Sequence, residues 1–262
     1  MPDQNTPITI EQVKELRDLT GVSVMQCKHA LIEAEGDMKK ALAILKKTSS
    51  DIALKKVNRE VKDGRISIKI KNNKAIMVSL HCETDFVAKN EDFITLLEAL
   101  LEKAFKEGME KMKAEAKEMI DPLIQKTGEN IQLGDAYEVS GEVLGTYVHN
   151  NKSGVIVSLA DGNSELAKDI AMHITAMKPE YISEEEISED AKKTMREVFE
   201  KEIAGVDKPI EIKEKMLLGK MTTYFKEKTL VNQAFIKNPD ETIGGLLEKT
   251  KAKIKEVKIY SI

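Results

Sequence analysis

An internal repeat constrains the fold of this chain more than any other feature of its sequence. The string N-N-K-A-I-M-V-S-L at 72–80 recurs, one residue longer, as N-N-K-S-G-V-I-V-S-L at 150–159. Ile66, Ile68 and Ile70 alternate with polar residues ahead of the first copy, and Asn72-Asn73 supplies turn residues. Since alternation with a period of two is typical of a half-buried strand, the pattern predicts a β-hairpin with one buried face. The repeat predicts a second hairpin of the same kind.

Helical periodicity follows both hairpins. After the second copy, Leu166, Ile170, Ile174 and Met177 share one face of a helix, and Pro179 lies just beyond its end. Two further helices are predicted at about 91–106 and 109–127, with Asp121-Pro122 a possible break in the second. Residues 183–228 are mostly charged with spaced apolar positions, a pattern that predicts an antiparallel helical hairpin. A helix opening near Thr242 and a final strand around 254–259 complete a mixed α+β chain.

The first 47 residues predict three short helices. Thr9 with Gln12 and Ser23 with Gln26 have capping-box spacing, and glycines separate the helices. The apolar faces are expected to contain Val13 and Leu16 in the first helix, Val24, Cys27, Leu31 and Ala34 in the second, and Met38, Ala41, Leu42 and Leu45 in the third. The bundle is similar to ubiquitin-associated domains, which bind proteins through the first loop and third helix. The alternative that it only caps the fold stays open. Residues 48–63 are predicted to be a charged, partly helical linker.

A strand-to-helix corner at 81–90, with the sequence H-C-E-T-D-F-V-A-K-N, carries an acid and an aromatic side by side. Thr84 is placed to cap the coming helix, and Asp85 and Phe86 fall in its first turn, where side chains lean outward. An exposed aromatic ring is unfavourable in water unless something binds it. The corner is therefore a candidate binding site.

Charge and composition favour a protein partner. The chain has 41 basic and 45 acidic residues, a net charge of −4, so it lacks the basic field that nonspecific nucleic-acid binding requires. Two cysteines are too few for a disulfide framework, the start M-P-D-Q-N has no targeting pattern, and no apolar run is long enough to span a membrane. We expect a cytosolic, reduced protein.

Chemistry-bearing residues do not form a recognisable catalytic or metal motif. The four histidines are spread through the chain, and no nucleophile-elbow, phosphate-loop or zinc-protease string is present, so no cofactor is predicted. Cys27 with His29, and His81 with Cys82, are poor zinc pairs because residues at i and i+2 on a helix, or adjacent on a strand, point in different directions. His173 is expected to be structural.

Several strings, in order along nearly the whole chain, closely resemble the bacterial elongation factor Ts family: V-K-E-L-R-D-L-T-G-V-S-V-M-Q-C-K at 13–28, T-D-F-V-A-K-N at 84–90, K-T-G-E-N-I at 126–131, and I-A-M-H-I-T-A-M-K-P at 170–179. The resemblance implies a guanine nucleotide exchange factor for the GTPase elongation factor Tu, acting without covalent chemistry. It implies that Thr84, Asp85, Phe86 and Val87 form a wedge, with Phe86 entering an apolar pocket and Asp85 disturbing the Mg²⁺ site.

The resemblance also implies secondary partner contacts at Arg17, Val24, Met25, Lys28, Thr127, Gly128, His149 and Ile236. Alternatives remain open for most of them. Val24 and Met25 also fit a helix core, Arg17 and Lys28 fit ordinary solvated charges, and Gly128 fits a helix C-cap. Thr127 occupies a position where some relatives carry an aliphatic residue.

The implied organisation has five segments: 1–55, the ubiquitin-associated-like domain and linker; 56–140, the first core subdomain; 141–182, the start of the second; 183–228, a helical hairpin that serves as a coiled-coil or dimerisation module; and 229–262, the rest of the second subdomain. Longer relatives carry a further helical module beyond the position of Ile262, so a weaker complex is expected here. Two other classes stay open: an adaptor acting through its helical bundle, and an enzyme whose site has no known motif.

Overall fold

The computed structural model describes residues 8–262, which form a mixed helix and strand fold of two compact units. The first unit contains residues 8–138 with Val148–Gly154 and Tyr260–Ile262, and the second contains Val139–Tyr147 and Val155–Ile259. The expectation about the start of the chain, and the beginning of segment 1–55, lie outside the described residues. Within 8–262, no helix is long and apolar enough to cross a membrane.

Three helices begin the first unit, as predicted: α1 (Ile10–Thr20), α2 (Val24–Glu33) and α3 (Met38–Lys56). Thr9 forms the full capping box with Gln12, whereas the Gln26 side chain bonds the Ser23 hydroxyl instead of the Ser23 backbone. Their buried cluster is Leu16, Val22, Cys27, Ala30, Leu31, Ala34, Ala41 and Leu45. The placement of Val24 and Leu42 on buried faces is wrong, because both are exposed; a bundle this small covers only one stripe of each helix.

Part of the predicted linker is helical, as expected, and it continues the last helix of the bundle. Helix α3 continues to Lys56, so most of the predicted linker is regular helix, in which Ser49 and Ala53 are buried. Its second half packs against α6 (Met109–Thr127). The reason is that Ser49 and Ala53, four residues apart, form a small-residue face of the helix that α6 covers.

A hairpin follows, as predicted, with β1 (Asp63–Lys71) antiparallel to β2 (Lys74–Cys82). Asn72 turns the chain with φ of 54°. Next come α4 (Asp85–Ala88), α5 (Glu91–Glu107) and α6, which Pro122 does not break. Apolar side chains of β2, α5 and α6 form the main core of the unit, with Phe93 fully buried at its centre.

Strand β3 (Ile131–Ser140) was not predicted, and it completes a sheet in the order β1-β2-β3. The expectation of one buried face is wrong for the central strand, because all six residues from Ala75 to Leu80 are buried. The second face lies against glycines: a Cβ on Gly134 would come 2.4 Å from the Ser79 hydroxyl, and one on Gly154 would come 2.8 Å from Met77 Sδ.

The second unit contains the second half of the second copy of the repeat, from Val155 onward. Strands β4 (Val143–His149) and β5 (Ser153–Ala160) are followed by α7 (Ser164–Met177). Its predicted stripe is buried at Leu166, Ile170 and Ile174, but Met177, the last residue of the helix, is exposed. Strand β5, like β2, is the central strand of three and carries six consecutive buried residues. The repeat therefore marks the central strand of each three-stranded sheet.

The rest of the second unit adds the helical pair α8 (Glu189–Ala204) and α9 (Ile210–Lys228), then β6 (Ala234–Phe235), β7 (Asn238–Thr242), α10 (Ile243–Thr250) and β8 (Lys253–Ser261), which pairs with β5. The α8–α9 pair runs antiparallel, as predicted: Phe199 contacts Tyr224, and Glu202 pairs with Lys220. Thr242 caps α10 as predicted, whereas the short β6–β7 pair was not foreseen.

Candidate partner-binding site

The strand-to-helix corner presents its acid and its aromatic outward. Thr84 is the N-cap of α4 and accepts a weak hydrogen bond of 3.5 Å from the Val87 amide. The Phe86 side chain is 82% exposed, and the half-exposed Asp85 carboxylate pairs with Lys89 at 2.6 Å. Val87 differs from its neighbours because it packs inward on the core of the first unit. The corner is a short, exposed projection with an apolar tip and a negative charge beside it.

A carboxylate from a distant part of the chain holds this corner. Glu129 Oε2 accepts from the Thr84 amide at 3.0 Å, and Oε1 accepts from the Thr84 hydroxyl at 2.6 Å. The Cys82 thiol donates to the Thr84 carbonyl at 3.1 Å, so Thr84 is bonded through its amide, hydroxyl and carbonyl groups. The residues beside this pair are bonded in the opposite direction: the backbone amide of Asn130 donates to Glu83 Oε1 at 2.6 Å.

The end of α6 lies beside the corner and contains two more of the predicted residues. Gly128 is the C-cap with φ of 78°, as the C-cap interpretation predicted, and its carbonyl accepts from Lys56 at the end of α3. The Thr127 hydroxyl donates to the Leu123 carbonyl of its own helix at 2.8 Å. Because Glu129 follows directly, the structure brings Thr127 and Gly128 next to Thr84.

The bundle places its predicted contact residues on its surface. Arg17 and Lys28 are exposed, and Val24 and Met25 are 49% and 61% exposed, so the interpretation that Val24 and Met25 are core residues is wrong. The first loop also approaches the end of α6, since a Cβ on Gly21 would lie 3.1 Å from Lys126 Nζ.

The last two predicted contacts lie elsewhere. His149 is exposed at the turn between β4 and β5, where its Nε2 is 3.2 Å from Asn150 Nδ2. Ile236, in the second unit, is half exposed, and its amide donates to Nδ1 of His173 at 3.2 Å. His173 itself is fully buried with Nε2 3.0 Å from Gln233 Oε1, and burial lowers its pKa. This environment suits the structural role expected for it.

Reactive groups near the corner are masked by burial. Burial, with the nearby charges of Asp63 and Glu129, raises the pKa of the Cys82 thiol to about 12, so it stays protonated at neutral pH. Burial also lowers the pKa of His81, whose Nε2 is 2.9 Å from the Tyr260 hydroxyl. Among residues 8–262, no cluster of three or more His, Cys, Asp or Glu side chains could hold a metal ion. What the corner offers a partner is shape, apolar surface and charge.

Sequence reasoning did not find Glu129 and Asn130 as parts of the site. They lie 45 and 47 residues beyond their bonding partners Thr84 and Glu83, and pairing at that distance leaves no periodic signal. One sequence feature could have indicated them: a polar pair that directly follows a glycine at the end of a long helix, in the string K-T-G-E-N-I.

Comparison with known proteins gives one consistent result. The family model described as Elongation factor TS matches residues 83–262. Elongation factor Ts of Hahella chejuensis is 39% identical over 262 residues, covering 97% of this chain and 92% of the relative. Elongation factor Ts of Pseudomonas savastanoi pv. phaseolicola is 40% identical over 256 residues, covering 94% and 88%, and that of Pseudomonas aeruginosa is 38% identical over 264 residues, covering 97% and 91%. The chain therefore belongs to the elongation factor Ts family.

Proposed function

We propose that this protein is a guanine nucleotide exchange factor that binds elongation factor Tu in its GDP form and promotes GDP release, so that GTP loads during translation elongation. The observation that carries the proposal is the 82% exposed Phe86 on a corner fixed by Glu129, in a chain of this family. The protein acts by binding and not by covalent chemistry. The family model matches residues 83–262, beyond the bundle, which favours this function over an adaptor acting through the bundle.

The corner suits a wedge that loosens a nucleotide site. GDP is held in a GTPase largely through its phosphates and a Mg²⁺ ion. Phe86 enters an apolar pocket of the partner, and burying the ring stabilises the complex by about 1.5–3 kcal/mol. Asp85 then lies near the Mg²⁺ site and disturbs it. The ion pair between Asp85 and Lys89 is solvated. Because such surface pairs contribute only about 0–1 kcal/mol, breaking it so that Asp85 can contact the partner costs little.

Linkage makes the exchange catalytic in the factor. If binding of the factor weakens GDP binding, then GDP weakens binding of the factor by the same ratio. An incoming nucleotide therefore expels the factor and frees it for another round. The chain needs no reactive side chain for this cycle.

The remaining parts of the chain have supporting roles in this proposal. The bundle, as a ubiquitin-associated-like domain within segment 1–55, contacts the GTPase domain of the partner through Arg17, Val24, Met25 and Lys28. Thr127, Gly128, His149 and Ile236 add contacts from core segments 56–140, 141–182 and 229–262. The exposure of the four bundle residues supports this assignment.

The proposal extends to assembly and location. The helical hairpin of segment 183–228 leaves Val198 and Ile212 exposed, which supports its role as a module through which two copies pair. The factor makes no direct contact with nucleic acid and works in the cytoplasm, where its partner carries out translation. No cofactor is required.

Stopped-flow release of fluorescent GDP from elongation factor Tu tests the proposal. We expect the parent protein to accelerate release, and both Asp85→Ala and Phe86→Ala to slow it. For Phe86→Ala the loss of the burial energy of one ring gives a decrease of roughly tenfold or more. Ile70→Ala removes an exposed aliphatic side chain of β1 and serves as the matched control, with a rate like that of the parent. A parent protein that leaves GDP release unchanged would refute the function. Full activity in both folded corner variants would refute the wedge.

A further inference from the structure

We infer that Glu129 is a positioning residue for nucleotide exchange: its carboxylate holds Thr84 and so fixes the direction in which Asp85 and Phe86 leave the corner. The inference rests on the proposed function and deepens it. Glu129 touches neither the nucleotide nor, by this proposal, the partner, and it acts through the wedge.

Helix α4 needs outside support because it has only four residues. A helix of one turn is not stable by itself in water, since nucleation fixes several residues in return for a single hydrogen bond. Its own cap is weak, with 3.5 Å between the Val87 amide nitrogen and the Thr84 hydroxyl. The orientation of Phe86 therefore depends on contacts made outside the helix: Val87 and Ala88 pack on the core, and Thr84 fixes the start of the turn.

Glu129 provides the strongest of these contacts. Its two oxygens accept from the Thr84 amide and hydroxyl at 3.0 and 2.6 Å, and hydrogen bonds to an ionised carboxylate are about twice as strong as neutral ones. Because the two donors lie on one residue, the pair of bonds fixes a rotation as well as a position. The Thr84 hydroxyl donates to Glu129 and accepts from the Val87 amide. The bond to Glu129 therefore also orients the hydroxyl oxygen so that its lone pair caps α4.

Glu129 is itself held by a long and rigid element. It follows Gly128, the C-cap of the 19-residue helix α6, and its amide donates to the Thr127 hydroxyl at 3.3 Å. The next residue, Asn130, is 1% exposed and donates its amide to Glu83 at 2.6 Å. An unbroken series of bonds thus runs from α6 through Glu129 and Thr84 to the base of Phe86.

This arrangement makes a kinetic prediction that differs from that of the wedge residues. When a binding-competent conformation is only partly populated, apparent affinity falls in proportion to the competent fraction. Loss of the bonds from Glu129 lets the corner sample other orientations, but a saturating concentration of the GDP-bound partner still selects the correct one. We therefore expect Glu129→Gln to raise KM for the GDP-bound partner by roughly tenfold or more, with a maximal rate within about twofold of the parent. Phe86→Ala, by contrast, lowers the maximal rate as well as the affinity, because it removes the ring that displaces the elements around the nucleotide.

The test combines exchange kinetics with amide hydrogen exchange on the full chain. Glu129→Gln keeps the size of the side chain but turns an amide NH₂ toward one of the Thr84 donors. Glu129→Asp keeps the charge and shortens the reach, with an intermediate rise in KM, and it remains informative if the first variant folds poorly. Glu110→Gln, on the exposed surface of α6, is the control. Amide exchange across residues 84–88 should quicken about tenfold in Glu129→Gln and stay unchanged in Glu110→Gln.

A double variant separates positioning from general destabilisation. With Phe86 already replaced by Ala, Glu129→Gln should change KM by less than about twofold, because the residue through which it acts is gone. The same fold-change in both backgrounds would overturn the inference, and so would an unchanged KM or unchanged amide exchange at 84–88. If the parent itself failed to accelerate GDP release, the proposed function would fall, while amide exchange on the isolated chain would still decide whether Glu129 holds the corner.

Discussion

Two phenylalanines seven residues apart should separate binding from folding. Phe86 is 82% exposed on α4, and Phe93 is fully buried on α5. The same substitution, Phe→Ala, removes the same atoms at both positions. We expect Phe86→Ala to impair nucleotide exchange without changing stability, and Phe93→Ala to destabilise the protein.

The expected magnitudes follow from burial. Truncating a buried phenylalanine costs about 3–5 kcal/mol, from lost transfer energy and the cavity that remains; Phe93 lies among Leu97 and Leu100 in the core of the first unit. In a chain of this size the melting temperature falls by about 2–4 °C per kcal/mol, so a decrease of about 10 °C is expected. Phe86 contributes little buried area, and substitutions at exposed sites usually stay within about 0.5 kcal/mol.

Urea unfolding followed by circular dichroism gives the free energy of unfolding for both variants, and stopped-flow GDP release gives their activity. Phe93→Ala should still promote exchange at temperatures well below its melting point, once the folded fraction is taken into account. A loss of more than about 1 kcal/mol in Phe86→Ala would show that the ring packs against the folded chain, and the exposed wedge would be refuted. Equal stability of Phe93→Ala and the parent would contradict the described core.

Three further predictions concern backbone approach, pH and thiol reactivity. Gly145→Ala should lower the free energy of unfolding by about 2–3 kcal/mol, because a Cβ at Gly145 would lie 2.1 Å from the backbone nitrogen of Lys168 in α7. Gly219→Ala, in open space on α9, should raise it by about 0.5–1 kcal/mol in the same urea assay. Burial lowers the pKa of His173 below its ordinary value of 6.5. The contribution of neutral His173 to the free energy of unfolding is therefore complete above pH 6.5 and is lost as the pH falls toward the lowered pKa, because only the unfolded state takes up the proton in that range. His173→Gln should flatten this pH dependence of stability, and an unchanged slope would exclude His173 as its cause. Cys82, with its pKa raised from 9.0 to about 12, should react with iodoacetamide at least a hundredfold more slowly in folded than in urea-unfolded protein, as measured by mass spectrometry of its peptide.

Local patterns predicted much of this fold because the local rules agree with one another here. The capping box at Thr9, the turn at Asn72 and the periodic stripe of α7 each predicted an element that the structure contains. The exposed corner was also predictable, since an acid and an aromatic directly after a capping threonine have no core to enter. These features depend on residues within about one helical turn of each other.

The features that were missed depend on distant partners. In β3, Ile131 and Leu133 begin an alternation that Asp135 interrupts, so pairing with β2 stabilises a strand that its own sequence barely indicates. The second buried face of β2 exists because glycines at 134 and 154 allow other backbone to approach it, and a single sequence does not say where those glycines will lie. The contact of Glu129 with Thr84 has the same character.

The continuity of α3 with the core concerns the entropy of association. Lys46 pairs with Glu118 at 2.6 Å, and Ser50 donates to Asp121 at 2.7 Å. Lys56 donates to the carbonyl of Gly128, so polar contacts join α3 to α6 along its second half. If the bundle hung on a flexible tether, its contacts would form in a second step governed by the effective concentration that the tether allows. Because these bonds hold α3 against α6, the bundle and the corner bind a partner as one body. The translational and rotational entropy of association is therefore lost only once.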